Sequence, residues 1–213
     1  MRTYRLRGSR ITQAQASARE RLAPLYEISE RSQIIPNEIF PDSSRIIMEI
    51  GFGMGEATAL IAKAEENSGF LAVEVHPPGV GKLLARIEEF ELKNVKIICE
   101  DVHVVLQSMI PDGSLDGIHL FFPDPWPKVK HHKRRIVNDE FLALIAPKFK
   151  VGGFIHIATD WVPYAQWILN VFQKSSLFSG GEVERPDWRP LTRFEGQGID
   201  KEHRVTDLRY VKN

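Results

Sequence analysis

The stretch RIIMEIGFGMGE, Arg45 to Glu56, decides how the rest of the chain is read. Its first six residues are short and mostly apolar, as a strand covered on both faces must be. Glycines follow at 51, 53 and 55, and the next residues, GEATALIAKA, have helical spacing. A strand, a glycine turn and a helix form the opening unit of an α/β chain with a parallel sheet. Glycine permits positive φ and lets a ligand approach the backbone closely. A dinucleotide fingerprint would need a further glycine at position 56, where Glu56 stands. A carboxylate there would repel a pyrophosphate seated on the helix N-terminus. The loop therefore suits a ligand without phosphates and disfavours a nicotinamide oxidoreductase.

The rhythm continues outward. FLAVEV (Phe70 to Val75) reads as a second strand, with Gly69 as the stop of the preceding helix. PPGVGKLLARIEEFEL opens with prolines suited to a first helical turn and closes near Leu92. VKIIC, LDGIHLFF and GGFIHIATD supply strands at Val95, Leu115 and Gly152. Between them lie a short helix through Leu106 and a helix capped at Asn138 or Asp139 and ended by Pro147. YAQWILNVFQK is the last helix. The expected fold is α/β, a mostly parallel sheet with helices on both faces. From Gly181 the rhythm fails, and HRVTDLRYV (His203 to Val211) alternates in period two, which predicts an antiparallel C-terminal edge strand. Thr12 to Ser32 reads as a helix broken at Pro24.

A chain of 213 residues fits one domain. Its 28 basic and 28 acidic residues cancel, yet the cancellation conceals two basic segments. One holds Arg2, Arg5, Arg7, Arg10, Arg19 and Arg21 against Glu20 alone. The other holds Lys128, Lys130, Lys133, Arg134 and Arg135. Local basic surface is the footprint of a nucleic-acid binder. Residues 1–33 thus read as a basic arm with a leading helix, and residues 34–213 as a single domain. Cys99 is the only cysteine, so no intrachain disulfide can form, and it reads as a small buried hydrophobe. No apolar run approaches the ~18 residues needed to span a bilayer. MRTYRLRGSR lacks the apolar stretch of a secretory leader, so no membrane association and a cytoplasmic setting are expected.

Ligands of such sheets bind beyond the carboxyl ends of the strands. Glu49, Glu74 and Asp101 stand at or near those ends. Glu74 is placed to accept from ribose hydroxyls, Asp101 from an adenine amino group, and Glu49 to pair with a cationic head. Ribose, adenine and positive charge together describe S-adenosylmethionine. The fourth strand runs into FFPDPWPKVKHHKRR, Phe121 to Arg135, where prolines stiffen Asp124 and Trp126 at the same rim. A carboxylate that accepts from ring N–H groups and an aromatic face suit a nucleobase. The cations that follow suit phosphates. His131 and His132 are adjacent and face apart on regular structure, so no metal site is expected.

EIGFGMGE, VEVH (Val73 to His76), FFPDPWPKVKHHKRRI and TRFE (Thr192 to Glu195), in this order and spacing, resemble bacterial tRNA (guanine-N7-)-methyltransferases from about Ile34 onward. The resemblance implies a Rossmann-like, S-adenosylmethionine-dependent methyltransferase fold. It also implies methyl transfer to N7 of the guanine at position 46 in the tRNA variable loop. By motif, Glu49, Gly51, Gly53, Gly55, Glu74, Asp101 and Asp124 would contact the cofactor, with Asp124 as the active-site acid. Lys128, Asp160, Thr192, Arg193, Phe194 and Glu195 would bind substrate. Lys130, His131, His132, Lys133, Arg134 and Arg135 would lie against tRNA. A monomer or homodimer without an obligate protein partner is expected. An amino-group methyltransferase is the nearest rival, but its Asp/Asn-Pro-Pro-aromatic order is not that of Asp124-Pro125-Trp126-Pro127. A non-catalytic RNA binder would have no use for the cofactor acids and Asp124 together.

Overall fold

Residues 45–50 form a strand because they can fill two cores at once: Ile46, Met48 and Ile50 enter one, Ile47 the other. The computed structural model describes residues 3–4, 11–191 and 205–213. In chain order the elements are α1 (Gln13–Tyr26), α2 (Pro36–Ile39), β1 (Arg45–Ile50), α3 (Glu56–Ala64), β2 (Ser68–Val73), α4 (Pro77–Glu89) and β3 (Val95–Ile98). There follow α5 (Val102–Val104), which runs on as a π-helical turn to Met109, then β4 (Leu115–Phe121) and a 3₁₀ helix, Val129–Arg134. The chain continues as α6 (Asp139–Ile145), β5 (Phe149–Thr159), α7 (Val162–Gln173), β6 (Phe178–Val183) and β7 (Thr206–Lys212).

The strands make one sheet in the order β3-β2-β1-β4-β5-β7-β6. β1 to β5 are parallel, and β7 runs antiparallel to both β5 and β6. Helices α1, α3 and α4 cover one face through Ala18, Ile61, Leu83 and Ile87. Helices α6 and α7 cover the other through Phe141, Leu142, Ile168 and Phe172. Each fully buried Leu or Ile among these contributes roughly 2 kcal/mol of transfer free energy.

Three local expectations are corrected. The predicted antiparallel C-terminal strand is present as β7, but β6 lies outside it and forms the sheet edge. FSGGEV escaped notice because it carries two glycines and is exposed along most of its length, so it shows no apolar period. Gly69 belongs to β2 rather than to a helix stop; a Cβ there would stand 2.5 Å from the Phe40 ring. Pro24 does not break α1, because the Glu27 N–H donates to Ala23 O and closes the last turn past it.

The leading helix packs on the sheet's covering layer. Thr12 and Gln15 close a capping box at its start. Gly81 of α4 approaches so near that a Cβ would meet Gln15 O at 2.5 Å. At its far end Glu27 bridges to Ile97 of β3.

Candidate active site

The parallel strands end at one rim. Gly51 N–H donates to Val73 O and Glu74 N–H to Ile98 O, which sets the first three strand ends level. Gly51, Gly53 and Gly55 all take left-handed backbone, with φ of 73°, 58° and 70°. A side chain at Gly51 or Gly53 would meet no neighbour within 4 Å, so glycine is required there by conformation rather than by space. At Gly79, in the first turn of α4, a Cβ would lie 2.1 Å from Gly53 O, so the helix start is seated directly on the loop.

Glu74 ties this cradle together. One carboxylate oxygen accepts from Gly53 N–H at 2.9 Å, and the other from Val75 N–H at 2.7 Å and His76 N–H at 3.1 Å. A carboxylate offers about four acceptor positions. Three are occupied by the protein's own backbone, which leaves capacity for one further donor. Glu49, at the end of β1, is the reverse case. It is fully buried, and its Oε2 has no hydrogen-bond partner among the described residues. Burial pushes its pKa up to about 7; the Thr58 hydroxyl opposes this and the Glu74 charge adds to it. A buried carboxylate with an orphan oxygen, beside an open glycine cradle, fits a cationic ligand group. Asp101, beyond β3, caps α5: its Oδ1 accepts from His103 N–H at 2.9 Å.

Asp124 stands half-buried beyond the end of β4, next to β1. The turn that carries it is strained at both ends, since Phe122 and Trp126 have φ of 50° and 45°. Such conformations cost of order 1–3 kcal/mol each and persist where the surroundings enforce them. Asp160 follows β5, exposed at the same rim, and Lys128 is exposed at the end of the proline turn. Thr192, Arg193, Phe194 and Glu195 lie outside the described residues.

The expectation that Trp126 offers a stacking face is overturned. Its ring is buried, with the edge of His131 against it and the Arg134 guanidinium 4.9 Å over it. Its indole N–H donates to Thr3 O at 2.9 Å. The basic segment also divides. Lys128, Lys130 and Lys133 are exposed, and His131 and His132 turn opposite ways, toward Trp126 and Trp167. Arg135 is corrected as an RNA-facing residue. It is 3% exposed, its Nε–H donates to Pro125 O at 2.9 Å, and its guanidinium lies 5.0 Å from the Tyr164 ring and 4.9 Å from Trp167. Burial disfavours its charge and draws its pKa down, with Tyr164 opposing, and two aromatic rings and a carbonyl partly offset that cost.

Sequence reasoning missed a polar cluster beneath the rim. Arg189 is wholly buried and donates through Nε and Nη2 to Asp207 at 2.7 and 2.8 Å. His156 of β5 lies 2.7 Å from the same carboxylate. Burial alone would raise Asp207, but hydrogen bonds from His156 and Arg189 outweigh it and hold the carboxyl below its usual range. His119 of β4 stacks on Trp188 at 4.8 Å; burial, with His156 and Arg209 nearby, pushes its pKa down to about 3, so it is neutral. The available signal was one histidine in each of two otherwise apolar strands, GIHLFF and FIHIAT. Among the described residues no group of three or more His, Cys, Asp or Glu could hold a metal ion. No helix among them is long and apolar enough to cross a membrane.

The strand order, the glycine cradle and the acids at successive strand ends define a Rossmann-like methyltransferase. The family model described as "Putative methyltransferase" matches residues 43–208. In solved structures the same fold appears in the 16S rRNA methyltransferase KamB, with a TM-score of 0.63 at 14% identity over 83% of this chain and 92% of that one. It appears again in the tRNA (m1A58) methyltransferase TrmI from Aquifex aeolicus, with a TM-score of 0.55 at 14% identity over 92% and 76%. Curated relatives narrow the class. A tRNA (guanine-N(7)-)-methyltransferase of Nitrosospira multiformis is 46% identical over 100% of this chain and 94% of its own. Another, of Methylobacillus flagellatus, is 44% identical over 98% of this chain and 90% of its own. The chain belongs to the tRNA (guanine-N(7)-)-methyltransferase family.

Proposed function

We propose that this protein transfers a methyl group from S-adenosylmethionine to N7 of a guanine in tRNA, at position 46 of the variable loop. The observation that supports the reading is the Asp124 turn, strained at both ends and following β4, the strand next to β1, whose end carries the glycine cradle and the orphaned Glu49 carboxylate. S-adenosylmethionine supplies, when bound, an electrophilic methyl on a sulfonium. Glu49 would balance the cationic end of that ligand, the spare acceptor of Glu74 would take a ribose hydroxyl, and Asp101 would face the adenine. Gly51, Gly53 and Gly55 would let the ligand lie against backbone.

Guanine N7 carries a bare lone pair, so no proton has to leave before it attacks. The demands on the protein are alignment and stabilisation of the positive charge that the purine gains. Asp124 meets both by accepting from N1–H and the 2-amino group at the far edge of the base. Asp160, Lys128 and Thr192 to Glu195 would complete the base site, and Lys130, Lys133 and Arg134 would meet tRNA phosphates. We take the protein to act in the cytoplasm as a monomer or homodimer, without metal, with residues 34–213 as its methyltransferase domain and residues 1–33 as a basic arm and leading helix.

Unmodified tRNA incubated with labelled cofactor and digested to nucleosides should yield 7-methylguanosine, and none once the variable-loop guanine is replaced. A methyl group on an exocyclic amine would instead make this an amino-group methyltransferase. Asp124→Asn should lower kcat by about 10²–10³ with tRNA affinity unchanged. Near-normal turnover would deny its charge any role.

A further inference from the structure

We propose that Arg135 is a positioning residue for Asp124 and not a contact for RNA, an inference that rests on the reading of Asp124 above. The five cations after the proline turn look alike in sequence, yet they sit in unlike places. Lys128, Lys130 and Lys133 are exposed, whereas Arg135 is the one carried into the interior. Its Nε–H is bound to the carbonyl of Pro125, the residue directly after Asp124. Its guanidinium lies near both Tyr164 and Trp167, residues of α7. Those two residues are themselves held to the segment that follows, since Trp167 donates to Val137 O at 2.8 Å and the Tyr164 hydroxyl accepts from Val137 N–H at 3.4 Å. Burial pushes the Tyr164 hydroxyl far up, while the Val137 N–H and the Arg135 guanidinium oppose the shift.

Arg135 therefore links a strained turn to a rigid helix. Phe122 and Trp126, at the two ends of that turn, hold left-handed backbone that neither would adopt freely. Without the bond to Pro125 O the turn can relax, and Asp124 shifts with it. A displacement near 1 Å at a reacting geometry costs about 100-fold in rate. Lysine cannot replace the guanidinium, because a point charge neither stacks between two rings nor offers the Nε–H in a fixed plane.

The test compares Arg135→Lys and Arg135→Ala with wild type, reading kcat, KM for tRNA, and the salt dependence of tRNA binding. Both variants should lose about 100-fold in kcat, with tRNA Kd within about twofold and an unaltered salt slope. Methylguanidinium should restore part of the kcat of Arg135→Ala, which unaided lysine charge in Arg135→Lys does not. If Arg135→Lys keeps full kcat, or if Arg135→Ala flattens the salt slope at unchanged kcat, the residue is an RNA cation and the proposal fails. A variant that does not fold leaves the native protein as the probe. Phenylglyoxal should modify Arg135 in neither the free nor the tRNA-bound protein; modification when free and protection by tRNA would overturn the proposal. Wild-type turnover in the same assay reports separately on the methyltransferase reading, and the labelling does not depend on turnover at all.

Discussion

The two halves of the rim are built on different principles. On the cofactor side, from β1 to β3, the groups that matter are set by backbone conformation and backbone N–H donors. Three glycines fix the loop's backbone, and Glu74 is engaged by the N–H groups of Val75, His76 and Gly53. On the base side, from β4 onward, identity comes from distant partners. Arg135 is defined by Tyr164 and Trp167, and Arg189 by Asp207. A site encoded in backbone conformation can be read from a short motif. A site encoded in side-chain packing cannot, because residues of the same type are sorted only when the chain folds.

The contrast is tested most severely at Asp207. Replacing it with Ala removes the carboxylate that accepts two hydrogen bonds from buried Arg189, and breaking a buried pair in this way costs about 3–5 kcal/mol. Chemical denaturation should show that loss, with the S-adenosylmethionine affinity of the remaining folded protein close to wild type. A loss under about 1 kcal/mol would mean that the buried pair contributes little on the base side. Equal damage to cofactor binding would mean that the two halves are not separate.

Glu49 tests the cofactor half by pH. Burial makes the folded state hold a proton on Glu49 more readily than the unfolded chain does, with a pKa raised from 4.5 to about 7. The associated stability is fully present below pH 4.5 and is lost as pH rises through about 7. A cationic ligand needs the ionised form. Affinity for S-adenosylmethionine should therefore climb by up to about tenfold per pH unit below 7 and level off above it. Calorimetry in two buffers at pH 6 should show proton release on binding. Glu49→Gln should bind weakly with no such slope, yet melt higher than wild type at pH 8 in the absence of ligand. A wild-type affinity flat from pH 6 to 8 would remove the orphan oxygen from the cofactor site.

These differences follow the limits of what the sequence shows. The alternation of strands and helices was legible because each parallel strand must be apolar on both faces, and Arg45 to Ile50 satisfies that within six residues. β6 was illegible because an exposed edge has no burial requirement to impress a period on FSGGEV. Glu49 and Glu74 were legible as acids at strand ends, but not their opposite states, since the orphan oxygen and the three backbone donors are products of loop closure. Trp126 illustrates the converse: an aromatic beside an acid suggested a stacking platform, and Thr3, more than a hundred residues away in sequence, already holds its indole.

The smallest expected effect separates the cations among themselves. Lys133 is exposed on the 3₁₀ helix Val129–Arg134, beside Arg134, whose guanidinium is folded onto Trp126. A solvated lysine against a phosphate contributes by displacing a condensed counterion, so its removal changes the salt dependence more distinctly than the affinity. Lys133→Ala should lower the slope of log Kd against log salt by about 0.7–0.9 and weaken tRNA binding several-fold at low ionic strength, with little difference at high salt. Arg135→Lys should leave the same slope untouched. Identical slopes for both variants would mean that exposure does not sort the basic segment, and the division between backbone-set and packing-set halves of the rim would then not extend to its RNA face.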